Sequence, residues 1–291
     1  MTIGGVAVGP FLKQVGRNII ATDVLGYAAQ TAYYFFFSLF PLFLFITPLL
    51  SLVGDKRKTV GVVLEQLAEI VPSDAYHLIA GVVNDVVFAK GAPGVISLGA
   101  ILALWAGSNV FSSLTDALDH VFGRTETRSW WRTTLVACAF ALGASIVGVV
   151  ATVVLVDGES VVTYIANFVG LGATATLTWT ILQFPLAIGF VVLLGWAIYY
   201  VLPNLRLSAG EALVGALFAT GLWILVTLAF RAYVQHFGAY NKMYGTIGAV
   251  VVLLIWMYLT MLVILTAGVV AAAVHGERSG RGLSRERGPI P

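Results

Sequence analysis

The chain has 291 residues, of which 59% are hydrophobic and only 10% charged, with a net charge of +2. A soluble globular domain carries about a quarter charged residues, so composition excludes that class and indicates an integral membrane protein. The small net charge gives no bulk electrostatic case for a nucleic-acid partner. The apolar runs are long and unbroken rather than alternating, so they read as helices and not as barrel strands. The expected fold is therefore an all-α polytopic membrane protein.

In chain order, the N-terminus lacks the charged region, short apolar stretch and cleavage site of a signal peptide. The first apolar run, about 25–53, is read as a retained span. Five more follow at about 94–120, 132–156, 176–201, 208–237 and 244–275, each long enough to cross a bilayer as helix. Residues 1–275 form a single six-helix transmembrane domain, and 276–291, rich in Gly, Ser and Arg, form a disordered cytoplasmic tail. Lys and Arg set the orientation. With a cytoplasmic N-terminus, ten fall in inner segments and five in outer ones, with Arg231 inside a span. Both termini are expected in the cytoplasm.

The first outer loop, 54–93, carries its own pattern. Val60, Val63, Leu64, Leu67 and Ile70 share one helical face, with Glu65 and Glu69 on another. Pro72-Ser73-Asp74 breaks and restarts the chain, and Ile79, Val82, Val83 and Val86 repeat the pattern. An amphipathic helical hairpin on the outer face is expected. The second outer segment, 158–175, holds a short interfacial helix at "VVTYIANFV".

Polar groups enter the spans in two places. Trp105, Ser108, Asn109, Ser112, Asp116, Asp119 and His120 recur at helical steps along the second span, in its cytoplasmic half. Tyr27, Gln30, Thr31, Tyr34 and Ser38 do the same in the first span, at matching depth. The two stripes share a space, either a hydrated cavity or a hydrogen-bonded seam of the kind that joins membrane helices. Arg231 lies 20 residues beyond Glu211, about 30 Å along a helix, and is expected near the outer surface. There Lys242, Tyr240, Asn241 and Tyr244 gather positive charge and hydroxyls suited to an anionic group. The third span has a small-residue face, Thr134, Cys138, Ala141, Ser145, Gly148 and Thr152, which favours close packing.

No catalytic or metal-binding constellation emerges. The four His lie on separate segments, there is no phosphate-binding glycine loop, and no nucleophile elbow. The expected chain is not an enzyme and has no cofactor.

Four stretches in order, "AAQTAYYFFFSLFPLFLF" (28–45), "LWAGSNVFSSLTDALDHVFG" (104–123), "YYVLPNLRLSAGEALVGALFATGLW" (199–223) and "YNKMYGTIGAVVVLLIWMYLTMLVILTAGVVAAAV" (240–274), resemble the YihY/BrkB family. The resemblance covers most of residues 10–275. It implies a bacterial inner-membrane protein with six helices and both ends in the cytoplasm. Some members carry an old ribonuclease BN label that is regarded as misassigned. The family's association with envelope properties implies transport of a lipid or small solute, and no agreed catalytic residues come with it. Asp116 fits the family pattern. Two acidic positions of the family do not, since Val269 and Ile224 stand there, which counts against proton coupling through those carboxylates.

The functional expectation is a membrane transport protein for a lipid or an amphipathic, anionic small solute, with membrane lipids as its surroundings and partners. Tyr34, Asn109, Ser112 and Asp116 would line the inner site, and Arg231, Lys242 and Tyr244 the outer mouth. The alternative is a non-transporting envelope scaffold that binds partners through the outer hairpin.

Overall fold

The computed structural model describes residues 2–3, 6–50, 93–169, 172–205, 207–236 and 238–278, together with isolated positions at 61, 64, 65, 76, 80 and 81. Seven helices account for nearly all of it. α1 spans Val8–Ala21, α2 Val24–Leu50, α3 Pro93–Val121, α4 Trp130–Val169, α5 Gly172–Val201, α6 Ala209–His236 and α7 Gly238–Arg278. A two-residue antiparallel pairing of Thr2–Ile3 with Val6–Ala7 precedes them.

Four of these helices contain stretches long and apolar enough to cross a membrane, judged over the described residues. They are Trp130–Gly148, Ile181–Val201, Ala209–Val234 and Val250–Gly276. Their outward positions are large and apolar, for example Leu135, Ile181, Leu217 and Leu225. Outward leucines are what a bilayer solvates and water does not.

The helix ends agree with the sequence to within a few residues, with three differences. α1 was not expected. It is a helix of 14 residues whose Val15 is buried while Lys13, Arg17 and Ile20 are exposed, and it packs on α2 and α7. Its turn into α2 is made by Asp23, at φ 45°. Asp tolerates this left-handed conformation, and its Oδ1 accepts the Gly26 N–H at 3.3 Å.

The second difference is α4, which runs unbroken for 40 residues, so the expected separate interfacial helix at 161–169 is its continuation. Gly158 alone costs only about 1 kcal/mol relative to Ala inside a helix, too little to end one. At about 1.5 Å per residue the helix is some 60 Å long, twice a hydrocarbon core of about 30 Å. In the third difference, α7 begins at Gly238, so Tyr240, Asn241, Lys242 and Tyr244 stand on its first turns and not on a loop.

The expected outer hairpin, 54–93, lies outside the described residues apart from the isolated positions. Those are helical, with Leu64 buried and Glu65 exposed. Residues 279–291 of the expected tail also lie outside them.

The helices pack in chain order, each on the next from α2 through α7, and α2 also packs on α7. The C-terminal half of α7 is the centre of the core. Met257, Met261, Leu265, Ala267, Val269 and Ala271–Ala273 are all buried, against Val24, Ala28 and Ala32 of α2, Leu114 and Leu118 of α3, and Tyr199 of α5. Small residues let this happen. A Cβ on Gly215 would sit 3.0 Å from Ala271 Cβ and 3.2 Å from Tyr199, and one on Gly268 would sit 2.8 Å from Leu118. The Tyr199 ring fills the space so created, and its hydroxyl donates to the Ile264 carbonyl at 2.7 Å. On α4, Ala137 and Ala141 are buried, and Ala141 approaches Gly107 of α3. Of the expected small-residue face only Ala141 makes such a contact among the described residues, while Ser145 and Gly148 are exposed.

Candidate functional site

Two polar regions stand out, and they differ in how their polar groups are satisfied. The first is the junction of the α3–α4 and α5–α6 turns. Asp119 is 3% exposed, and its Oδ1 accepts the Asn204 backbone N–H. The Asn204 side chain donates in turn to the Thr125 carbonyl at 3.0 Å and to Thr127 Oγ1 at 2.8 Å. Arg128 donates through Nη2 to the Leu202 carbonyl at 2.6 Å and pairs with Glu126 at 2.7 Å.

Glu126 shows which force prevails there. Partial burial opposes its charged form, but hydrogen bonds from the Arg128 side chain and backbone, and the Arg128 charge, outweigh that. They hold its carboxyl below the usual glutamate range. Beside this junction, Ser208 and Glu211 cap α6 reciprocally: the Ser208 N–H donates to Glu211 Oε2 at 2.9 Å and the Glu211 N–H to Ser208 Oγ at 3.3 Å. Glu211 Oε2 also meets His275 Nδ1 at 3.0 Å, joining the start of α6 to the end of α7. Asp119 Oδ2 is buried and has no donor among the described residues, and Thr133 Oγ1 and Trp179 Nε1 are likewise buried without a partner among them.

The second region is the pairing of α2 with α3. The helices run antiparallel: the Tyr27 ring lies 5.0 Å from that of His120, and Thr31 Oγ1 hydrogen-bonds Ser113 Oγ at 2.9 Å. Thr31 is 0% and Ser113 4% exposed, so the seam itself is dry. Ser38, Ser108 and Thr115 are buried too, and each hydroxyl donates to a carbonyl of its own helix.

The remaining polar residues flank the seam. Counting about 100° per residue from Ser113, Val121 and Leu118 lie about 80° and 140° round one way, towards Gly268 of α7. Asn109, Asp116 and Ser112 lie about 40° to 100° round the other way. On α2, counted from Thr31, buried Ala28 and Ala32 fall on the α7 side and Tyr34 and Gln30 about 60° to 100° opposite. In facing antiparallel helices, the same sense of rotation leads to the same side. Tyr34, Gln30, Asn109, Ser112 and Asp116 therefore border one groove, on the periphery of the bundle, away from α7.

Asp116 and Gln30 are exposed, Asn109 and Ser112 half-buried, and Tyr34 is 36% exposed beside Tyr33. Trp105, 64% exposed, stands beyond Asn109. From Asp116 to Trp105 the groove is about 16 Å long. No side-chain hydrogen bond joins Gln30, Asn109, Ser112 or Asp116 to a described residue, and Asp116 has no ion-pair partner among them. The structure thus separates the stripe on α3 into a buried pair, Ser108 and Asp119, and a half-buried or exposed set, Asn109, Ser112 and Asp116.

The outer residues are a different matter. Arg231 is exposed on the last turns of α6, at the far end of that helix from Glu211 and the junction. Lys242 and Tyr244 follow on the first turns of α7, and their side chains lie outside the described residues. The groove end at Asp116 is on the junction side, so the inner and outer residue sets stand at opposite ends of the bundle. Sequence reasoning did not single out Asn204 or Arg128. The one signal was Asn204 directly after Pro203, a turn pair that follows a long apolar run.

The family described as Virulence factor BrkB matches residues 15–289. Among curated proteins, the ribonuclease-like protein YfkH of Bacillus subtilis is 29% identical over 265 residues, covering 91% of this chain and 95% of that protein. A UPF0761 membrane protein of Vibrio atlanticus is 26% identical over 261 residues, 85% of this chain and 76% of the relative. One of Tolumonas auensis is 24% identical over 208 residues, 70% and 66% respectively. No solved structure matches. The membrane-protein names of the Vibrio and Tolumonas relatives agree with the apolar helices described above.

Proposed function

For a chain that belongs to the BrkB family, with membrane proteins among its relatives, we propose a transport protein that takes up an amphipathic lipid along the α2–α3 groove. The observation that carries this reading is the set of polar groups, Gln30, Asn109, Ser112 and Asp116, that have no side-chain partner among the described residues, on the bundle's periphery. Polar groups facing hydrocarbon without partners cost several kcal/mol each, and an intramembrane ionisable residue marks a functional path. A lipid headgroup lying in the groove would satisfy them while its tails stay in the bilayer. The groove covers about half of a 30 Å hydrocarbon core, from the junction end inwards. Arg231, Lys242 and Tyr244 then suit an anionic group at the opposite surface.

In this reading α2–α7 are six spans in the bacterial inner membrane, with both termini cytoplasmic, as the ten-to-five distribution of Lys and Arg favours. A reporter fused to the C-terminus tests the orientation: activity only on the far side of the membrane would reverse it. The ribonuclease-like name of the Bacillus relative suggests another activity. We propose that this chain is not an enzyme; cleavage of RNA by the purified protein would overturn that.

The test is reconstitution into liposomes carrying a fluorescent phospholipid, with a membrane-impermeant quencher outside. The expected result is faster loss of inner-leaflet fluorescence than in protein-free vesicles. No acceleration, and no uptake of small anions, would remove the transport reading. The second reading, a non-transporting scaffold, draws on the tied junction and the dry seam. It predicts that protein active in the cell moves nothing in liposomes.

A further inference from the structure

The groove has a charge sign, and this narrows its ligand. We propose that its junction end is a binding site for the ammonium of a phospholipid headgroup, held by Asp116 against the Tyr27–His120 ring pair. The inference rests on the lipid-transport reading above. Asp116 is exposed and lies one helical turn from His120, on the same face. The His120 ring meets the Tyr27 ring at 5.0 Å. The Tyr27 face attracts an ammonium through its ring quadrupole, and a carboxylate beside it adds the attraction of an opposite charge.

Among the described side chains, the cations at this end are committed elsewhere or stand apart. Arg128 is held by Glu126 and the Leu202 carbonyl. Arg132 lies over the Trp131 ring, 5.1 Å from its centroid. Lys13 and Arg17 ride on α1, which packs against α7, the side of α2 away from the groove. Arg124 is exposed on the turn beyond α3 and makes no ion pair with Asp116. Of the other carboxylates, Glu126 is paired with Arg128, Asp119 is buried against Asn204, and Asp23, exposed at the α1–α2 turn, accepts the Gly26 N–H. Asp116 is thus an accessible negative charge at the mouth of a groove whose other polar groups, Gln30, Ser112 and Asn109, are neutral. It favours a headgroup with an ammonium and repels one with only a phosphate.

The experiment uses the full chain in liposomes of equal phosphatidylethanolamine and phosphatidylglycerol at pH 8, each labelled in turn on its acyl chain. In parallel, native mass spectrometry reads which lipids stay bound to the detergent-solubilised protein. Wild type should move and retain the ethanolamine lipid about fivefold in preference to the glycerol lipid, as one carboxylate–ammonium contact of about 1 kcal/mol allows. Asp116→Asn should reduce the preference to within about twofold, and Asp116→Glu should keep it. Equal movement and retention of both lipids by wild type would overturn the ammonium site and leave the transport reading standing. Selection of the ethanolamine lipid in retention alone, lost in Asp116→Asn and with no lipid moved, would support the site and overturn the transport reading. A preference that persists in Asp116→Asn would overturn the assignment to Asp116.

Discussion

At the α3–α4/α5–α6 junction, polar side chains are buried and answered. On the α2–α3 groove, side chains of the same kinds are open and unanswered. Asp119 and Asp116 make the contrast sharpest, because they stand three residues apart on one helix. Asp119 points into the junction and accepts the Asn204 N–H. Asp116 points outwards and meets no described partner. The difference teaches that polar content in a membrane helix is not one property. One part of it fastens turns to each other, and another part has no partner among the described residues.

If the junction and core are structural and the groove is not, stability and lipid movement should separate. The largest loss of stability is expected where the core has no room. Gly215→Leu would place a branched side chain against Ala271 and Tyr199 and should cost about 3 kcal/mol, read as a lower unfolding midpoint in detergent. Next, Asp119→Ala should cost about 2 kcal/mol, because it leaves the Asn204 N–H without its acceptor. Equal stability of that variant and wild type would mean the two turns are not joined through Asp119.

A smaller effect is expected from pH. Glu126 has its carboxyl pKa depressed by Arg128. A group with a lowered folded-state pKa adds stability above its unfolded value, near 4.3 for glutamate, and that stability is lost as pH falls through the folded value. The wild type should therefore lose stability in this acid range, and Glu126→Gln should flatten that part of the pH profile. The smallest change in stability belongs to the groove. Asn109→Ala and Ser112→Ala should each shift folding by less than about 0.5 kcal/mol, yet slow lipid movement several-fold. A large loss of stability in either would place them with the junction residues and erase the contrast.

Much of the architecture was legible in the sequence. Long apolar runs give helices with little ambiguity, and α2, α3, α5 and α6 begin and end within a few residues of expectation. The boundaries failed where helices leave the apolar layer. "DGES" at 157–160 and "AYNKMYG" at 239–245 look like loops by polarity, but neither contains a residue that stops a helix, so α4 and α7 run through them. α1 was missed because it is short and only one face is apolar, although Val8, Leu12, Val15 and Ile19 carry the period.

The groove residues were legible as helical spacing, but their division was not. Spacing places Ser108, Ser112, Asp116 and Asp119 on one broad stripe. Only the long-range packing around α3, such as that of the α5–α6 turn on Asp119, decides which of them are covered. Asn204 and Arg128 were hidden for a related reason. Their partners lie 85 and 74 residues away, and turn residues show no periodicity that predicts a long-range hydrogen bond.

The central claim is that one side of α3 meets polar surroundings within the membrane. Cysteine accessibility tests it most directly. With Cys138, the one native cysteine, changed to serine, single cysteines at positions 109, 112 and 116 would be exposed in liposomes to a water-soluble maleimide. Matched cysteines would stand at 217 and 225, on the apolar outer face of α6. The account predicts labelling at 109, 112 and 116, suppressed as phospholipid is added to the vesicles, and none at 217 and 225. Labelling absent at all five positions would show that the groove side of α3 lies against hydrocarbon, and would contradict the account.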